Sequence, residues 1–274
     1  MNKKGLTLIE LLLALTISGM LVAGIYRTFL SQQHTYTVQD QVVDMQQNVR
    51  LAINRMTREL RMGGFGGTNT TFFNDGKVLG IYGSVVTPGP DPTSVTVVGA
   101  YQVATTLSAN ASAGSKKIQV NNASGFDLVK KKFISINGMQ SLHIKKITGN
   151  EIEFISGETL AGNHFAGEPV YLIMAITYSL GMFDGKSALL KDENLGLGPQ
   201  PVAENIEGLQ FRYIMNTGET LDVVPALRYG DIRMIQVNIV ARTDRTDPEL
   251  AKVGDGFRRR TLTSNIQLRN LLFL

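Results

Sequence analysis

The sequence predicts an α+β protein: one long amino-terminal helix, its first half membrane-spanning, packed on an antiparallel β-sheet domain. Three observations predict it. From Leu6 to Tyr26 the chain is apolar except for Glu10. From Val38 to Leu60 apolar residues recur at helical period. From Ser94 onward, short β-branched and aromatic runs alternate with Gly, Asn, Asp and Ser turns.

The apolar run comes first. A helix rising about 1.5 Å per residue from Leu6 to Tyr26 spans roughly 30 Å, the thickness of a bilayer's hydrocarbon core. Lys3 and Lys4 precede it, so the positive-inside rule predicts a cytoplasmic amino terminus, with everything after Arg27 across the membrane. A secretory signal peptide is the alternative. Its apolar core is shorter, about 7–15 residues, and ends at a small-x-small site. The nearest such site here, around Val22-Ala23-Gly24, is weak.

Glu10 fits neither an ordinary signal peptide nor an ordinary anchor. A carboxylate at membrane depth costs about 2.5–3.5 kcal/mol on insertion scales and is found there with a partner and a function. The first turn of a helix favours an anion, which offsets part of that cost. A cut after Gly5 would supply a cation four residues away, the new α-amino group of Leu6.

The stripe comes next. Val38, Val42, Met45, Val49, Ala52, Met56 and Leu60 follow steps of three and four, a narrow apolar face. Gln39, Asp40, Gln46, Gln47, Asn54, Arg55 and Arg58 fill the other faces. Gly63-Gly64 predicts the stop, with Arg58 and Arg61 in the last turns. One helix over 6–62 would be about 85 Å long. A freestanding coiled coil is the competing reading, but a large sheet-rich region follows and needs a helix to cover one face.

In that region "SVTVVGAYQV", "KKIQV", "KKFISI", "HIKKI", "EIEFI" and "EPVYLIMAITYSL" read as strands. Ile235, Val237, Ile239 and Ala241 alternate with polar residues, as do Phe211, Tyr213 and Met215. Leu262, Ile266 and Leu268 are expected to share the face of a last strand. Tightly spaced strands over 111–173 predict a small β subdomain inserted into the main sheet. Residues 63–93, with "GGFGG" and "TPGPDP", read as loop.

"KGLTLIELLLAL", Lys4 to Leu15, resembles the class III signal of type IV prepilins and type II secretion pseudopilins. The resemblance implies a pilin-like fold. It implies that prepilin peptidase cuts after Gly5 and methylates the new terminus, Leu6, and that Glu10 pairs with the terminal amine of a neighbouring subunit. Leu6 departs from the family's usual phenylalanine but keeps the site apolar. "VAENIEGLQFRYIMNTGE", "DIRMIQVNIVARTDRTDP" and "GFRRRTLTSNIQLRN" are similar to the ends of PilW-type minor pilins and, more distantly, of the J-type pseudopilin.

On that resemblance the chain divides into a leader over 1–5, a helix over 6–62 with 6–26 transmembrane, and a periplasmic β-rich domain over 63–274. The expected role is a non-enzymatic minor type IV pilin that primes pilus assembly and sits at or near the tip. The alternative is a J-type pseudopilin of type II secretion. Expected partners are other minor and major pilins, prepilin peptidase and the assembly platform of the inner membrane. Expected localisation is a single-pass inner-membrane protein that moves into the pilus.

Composition bounds the chemistry. The chain has no cysteine, hence no disulfide frame and no thiol chemistry. Charged residues are 18% and the net charge is +4, below the usual ~25% charged. His34, His143 and His164 lie far apart and match no metal-ligand spacing, and His34 is expected to be exposed on the helix. "GGFGG" ends a helix rather than following a strand, so it is a turn, not a phosphate loop. Asp244 and Asp247 read as a solvated turn before Pro248 rather than a calcium site. No metal or cofactor is expected. Lys130–Lys132, Lys145-Lys146 and Arg258–Arg260 raise the possibility of a DNA-binding pilin. Alternate strand residues face opposite sides and the clusters lack interleaved aromatics, so nucleic-acid contact is not expected.

Overall fold

The computed structural model describes residues 8–66 and 84–271. Gly5 and Leu6, the leader over 1–5 and most of the expected 63–93 loop lie outside the described residues. The chain forms two compact units, Met1–Gln46 with Thr243–Arg258, and Gln47–Arg242 with Arg259–Leu274. The helix α1 runs from Leu8 to Arg61.

In the second unit α1 contributes its last four turns. Val49, Ala52, Met56 and Leu60 are buried there, and Ile53, which the sequence stripe left out, is buried beside them. At the helix end Gly64 N donates to Val98 O and Ala100 N donates to Phe65 O, which sews the turn to a strand. Gly66 is needed in that turn. Its φ is +104°, and a Cβ there would lie 2.8 Å from the Cβ of Ala100. Asn270 Nδ2 donates to Met62 O at 3.4 Å and Gly63 O at 3.2 Å, capping carbonyls that the helix leaves open.

The strands form two antiparallel sheets. The larger is β1 (Val86–Pro88), β2 (Ser94–Thr106), β7 (Pro169–Phe183), β4 (Phe133–Ile136), β5 (Gln140–Thr148), β6 (Glu151–Phe154) and β3 (Lys117–Gln119) in spatial order. β8 (Lys186–Asp192) pairs with β7, and β9 (Gln200–Glu204) pairs with β8. β7 organises it. One edge of β7 pairs with β2 along its length. The other edge is shared: β4 takes the first half, from Val170 to Leu172, and β8 takes the second, from Thr177 to Phe183. The β7–β8 hairpin closes on Asp184-Gly185, with φ of 46° and 74°, the left-handed pair that a two-residue hairpin turn requires.

β3 to β6 lie in sequence between β2 and β7 and share a core with the paired halves of those strands. That core contains Ile118, Phe126, Ile134, Leu142, Ile152, Phe154 and Leu172. β1 corrects the expectation of an irregular 63–93. Val86 pairs with Val97 and is fully buried. Three residues ending in proline are too short to show a period, and only pairing to β2 makes them a strand.

The smaller sheet is β11 (Thr220–Leu221), β10 (Ile206–Met215), β12 (Ile232–Arg242) and β13 (Arg259–Gln267). Phe211, Tyr213 and Met215 on β10 face inward with Ile235, Val237, Ile239 and Ala241 on β12. Ile266 and Leu268 are buried, but Leu262 is 38% exposed. β13 pairs with β12 alone, and its first five residues are exposed. Alternation predicts sides, not cover, and an edge strand can outrun the core beneath it.

In the first unit the segment Thr243–Arg258 folds around Asp247. The carboxylate accepts from Arg258 Nε at 3.0 Å and Nη2 at 2.6 Å, and from the backbone N–H of Glu249 at 2.9 Å. His34 Nε2 lies 3.6 Å from it. The expected solvated turn is therefore exposed at Asp244 but buried at Asp247, which is 4% exposed. The bidentate arginine eleven residues on supplies what desolvation would otherwise deny the carboxylate. It holds the carboxyl below the usual carboxylate range, helped by the Glu249 N–H. His34 is correspondingly half-buried rather than exposed.

Candidate functional site: the amino-terminal helix

Glu10 falls in the first turn of α1, where the unsatisfied N–H groups of a helix favour an anion. It is exposed, and so are the apolar residues around it. Leu8, Ile9, Leu11, Leu12, Leu13 and Leu15 are each more than half exposed. The exposure continues through Met20, Leu21, Val22, Ile25 and Phe29. An 18-residue window of α1 is long and apolar enough to cross a membrane, and none of it is buried. An apolar surface of this extent needs lipid or other helices around it.

Two threonine hydroxyls in and just beyond the run are reconciled with an apolar surround by the backbone. Thr16 Oγ1 donates to Leu12 O at 3.1 Å and Leu13 O at 2.9 Å, and Thr28 Oγ1 donates to Gly24 O at 3.0 Å. Each hydroxyl is satisfied within its own helix, as a segment in hydrocarbon requires. Gly19 and Gly24 have nothing within 4 Å of where a Cβ would stand, so a second helix could approach the backbone closely there.

Residues 1–26 match the family model described as the prokaryotic N-terminal methylation motif. The amino terminus carries a prepilin-type signal. It supports a pilin-like protein, a type IV pilin or a pseudopilin, anchored in a membrane by its apolar helix. No curated protein and no solved structure matches the chain. Gly5 and Leu6 belong to the matched residues but lie outside the described ones. Glu10 is both matched and described.

The structure scatters the other residues that the sequence singled out. His164 is buried, and its Nδ1 lies 2.7 Å from Glu168 Oε2, closing the turn before β7. The His143 ring lies tilted against Phe133, their centroids 4.7 Å apart. Among the described residues no group of three or more His, Asp or Glu could hold a metal ion. Two of the three basic clusters are paired with acids. Lys145 pairs with Glu153 at 2.9 Å, Arg258 with Asp247 at 2.6 Å and Arg259 with Glu207 at 2.5 Å. Gly63 to Gly66 form the turn that ends α1.

Two constellations went unseen in the sequence. Glu59 on α1 accepts from the Tyr178 hydroxyl at 2.6 Å and from Lys191 Nζ at 2.9 Å, inside the second unit. Arg58, Arg61 and Arg269 line one open concavity. Neither has a sequence signature, because the partners lie more than a hundred residues apart.

Proposed function

We propose that the chain is a minor type IV pilin: a non-enzymatic structural subunit that primes pilus assembly and sits at or near the tip. The observation that carries this reading is the coincidence of the methylation motif over 1–26 with a helix whose apolar residues from Leu8 to Leu30 are all exposed. In the membrane, lipid covers that surface. In a filament, the helices of neighbouring subunits cover it, at no greater hydrophobic cost. J-type pseudopilins of type II secretion have the same kind of helix. The similarity of the carboxy-terminal stretches to PilW-type pilins favours the pilus.

In this reading residues 1–5 are a leader removed by prepilin peptidase, which cuts between Gly5 and Leu6 and methylates the Leu6 amine. Residues 6–26 hold the chain in the inner membrane with its amino terminus cytoplasmic. Residues 63–274 fold in the periplasm, with 111–173 as an inserted subdomain. Other pilins and the inner-membrane assembly platform are the partners. Glu10 pairs with the Leu6 amine of an adjacent subunit. In a low-dielectric bundle an uncompensated ion is strongly disfavoured, so this pairing selects one axial register for an incoming subunit.

Intact mass and amino-terminal sequencing of the protein from a host with a prepilin peptidase test the processing. The expected start is a methylated Leu6; a start near Ile25 marks an ordinary signal peptide and overturns the reading. Glu10→Val tests the pairing. The mutant should insert and be cut as wild type does, yet be depleted from sheared pili relative to membranes. Equal incorporation rules out a guiding role for the carboxylate. Wild-type protein that never appears in the sheared fraction, but co-purifies with secretion components, assigns the chain to type II secretion instead.

A further inference from the structure

At the end of α1, within the second unit, an open concavity of about 610 Å³ is lined by Thr57, Arg58, Arg61, Met62, Phe65 and Arg269, among others. Its size is that of a small-ligand site. Arg58 and Arg61 lie one helical turn apart, and Arg269 comes from the short 3-10 turn Arg269–Leu271. Among the described residues no carboxylate lies within ion-pair distance of these three guanidinium groups. Arg55, one turn earlier, contrasts with them: its Nε lies 3.6 Å from Glu59.

Thr57 also lines the concavity. Four other threonines of α1, at 16, 28, 35 and 37, donate their hydroxyls to the carbonyl four residues back. That is the default for a helical threonine. Thr57 breaks the pattern. Its Oγ1 is shielded from solvent and makes no hydrogen bond. A buried hydroxyl without a partner costs about 1–3 kcal/mol.

The alternative is that Arg58 and Arg61 merely complement the negative end of the helix. That end is worth about half an elementary charge, and Asn270 already donates to its Met62 and Gly63 carbonyls. Three full positive charges exceed what the dipole can neutralise. Guanidinium forks match the planar oxygens of carboxylates and the tetrahedral oxygens of phosphates. Met62 and Phe65 add an apolar wall beside them.

We infer that this pocket binds an oxyanion group, a carboxylate or phosphate, held by Arg58, Arg61 and Arg269. The group can belong to a free small anion or to an acidic side chain of another protein. The inference does not depend on the pilin reading.

Isothermal titration calorimetry of the full chain in non-ionic detergent, at low ionic strength, tests it. The probes are citrate, inorganic phosphate and a capped acidic peptide, Asp-Asp-Leu-Glu. Saturable one-to-one binding of at least one probe is expected. Arg58→Gln and Arg269→Gln should each weaken it at least tenfold. Arg50→Gln, which removes an exposed arginine elsewhere on α1, should leave it within twofold. Circular dichroism confirms that each variant is folded. Tighter binding of the peptide assigns the site to a protein-borne carboxylate; tighter binding of citrate or phosphate assigns it to a free anion. No saturable heat with any probe overturns the inference. So does an Arg50→Gln loss equal to that of Arg58→Gln, which marks mere attraction to net charge.

Discussion

Replacing Lys191 with methionine breaks the ion pair that fixes α1 to the larger sheet, along with a half-exposed contact to Glu193 at 3.0 Å. Lys191 Nζ lies 2.9 Å from Glu59 Oε1, with side chains 8% and 17% exposed. Removing one partner of a buried pair leaves a charge without compensation and costs about 3–5 kcal/mol. Here Glu59 would keep the Tyr178 hydroxyl at 2.6 Å and Arg55 Nε at 3.6 Å, which lowers the expected loss to about 2–3 kcal/mol. For a unit of this size that is a fall in Tm of about 5–10 °C. The companion variant Glu59→Gln/Lys191→Met removes both charges while an amide remains for Tyr178. It should be more stable than Lys191→Met alone, since no buried ion is left over. Urea unfolding of the full chain in detergent, followed by circular dichroism, gives both numbers. A Lys191→Met loss within about 0.5 kcal/mol of zero, the range of an ordinary surface change, would show that the pair does not hold the helix. A double variant less stable than Lys191→Met would refute the stranded-charge argument.

Val49→Asp with Met56→Asp forces two charges into the buried face of α1 and should abolish cooperative unfolding, as circular dichroism will show. A chain starting at Thr28 lacks the exposed apolar run and should be soluble and folded without detergent, monodisperse by size-exclusion chromatography. Burial holds the Tyr101, Tyr178 and Tyr213 hydroxyls well above the ordinary tyrosine value near 10, with Glu59 adding to the first two. Folding favours their protonated form, so this stability is complete below pH ~10 and falls above it, and Tyr178→Phe should flatten the alkaline decline. Asp247 shifts the other way, lowered by Arg258 and the Glu249 N–H. Its contribution is complete above the ordinary carboxylate value of 3.8 and fades as pH falls below it, so hydrogen exchange in 243–258 should rise first in acid.

Helix, stripe and strands were legible because their signals are local and periodic. Met45, Val49, Ala52, Met56 and Leu60 are buried in α1, at the steps of three and four that the sequence shows. Phe211, Tyr213, Met215 and Ile235 to Ala241 alternate into one core because a strand sends successive side chains to opposite faces. The misreadings have a common origin. Asp247 looked solvated because its partner, Arg258, is brought near by the fold of 243–258. The strand β1 looked like loop because only pairing to β2 defines it. Leu262 falls in the expected strand yet is 38% exposed, because β13 is an edge strand with a neighbour on one side alone.

The sequence by itself determined what depends on neighbours along the chain: the motif over 1–26, the position of Glu10 in a first helical turn, and the apolar length that suits a bilayer. A peptidase and a membrane read such features linearly, so no tertiary structure is needed to present them. Among the described residues, only the tertiary structure decided which charges are paired and which are left open. Glu59 meets Tyr178 and Lys191 across more than a hundred residues. Arg269 joins Arg58 and Arg61 across two hundred. Coulomb and hydrogen-bond energies depend on distances of a few ångströms, and chain position does not set those distances until the strands and the helix are packed together.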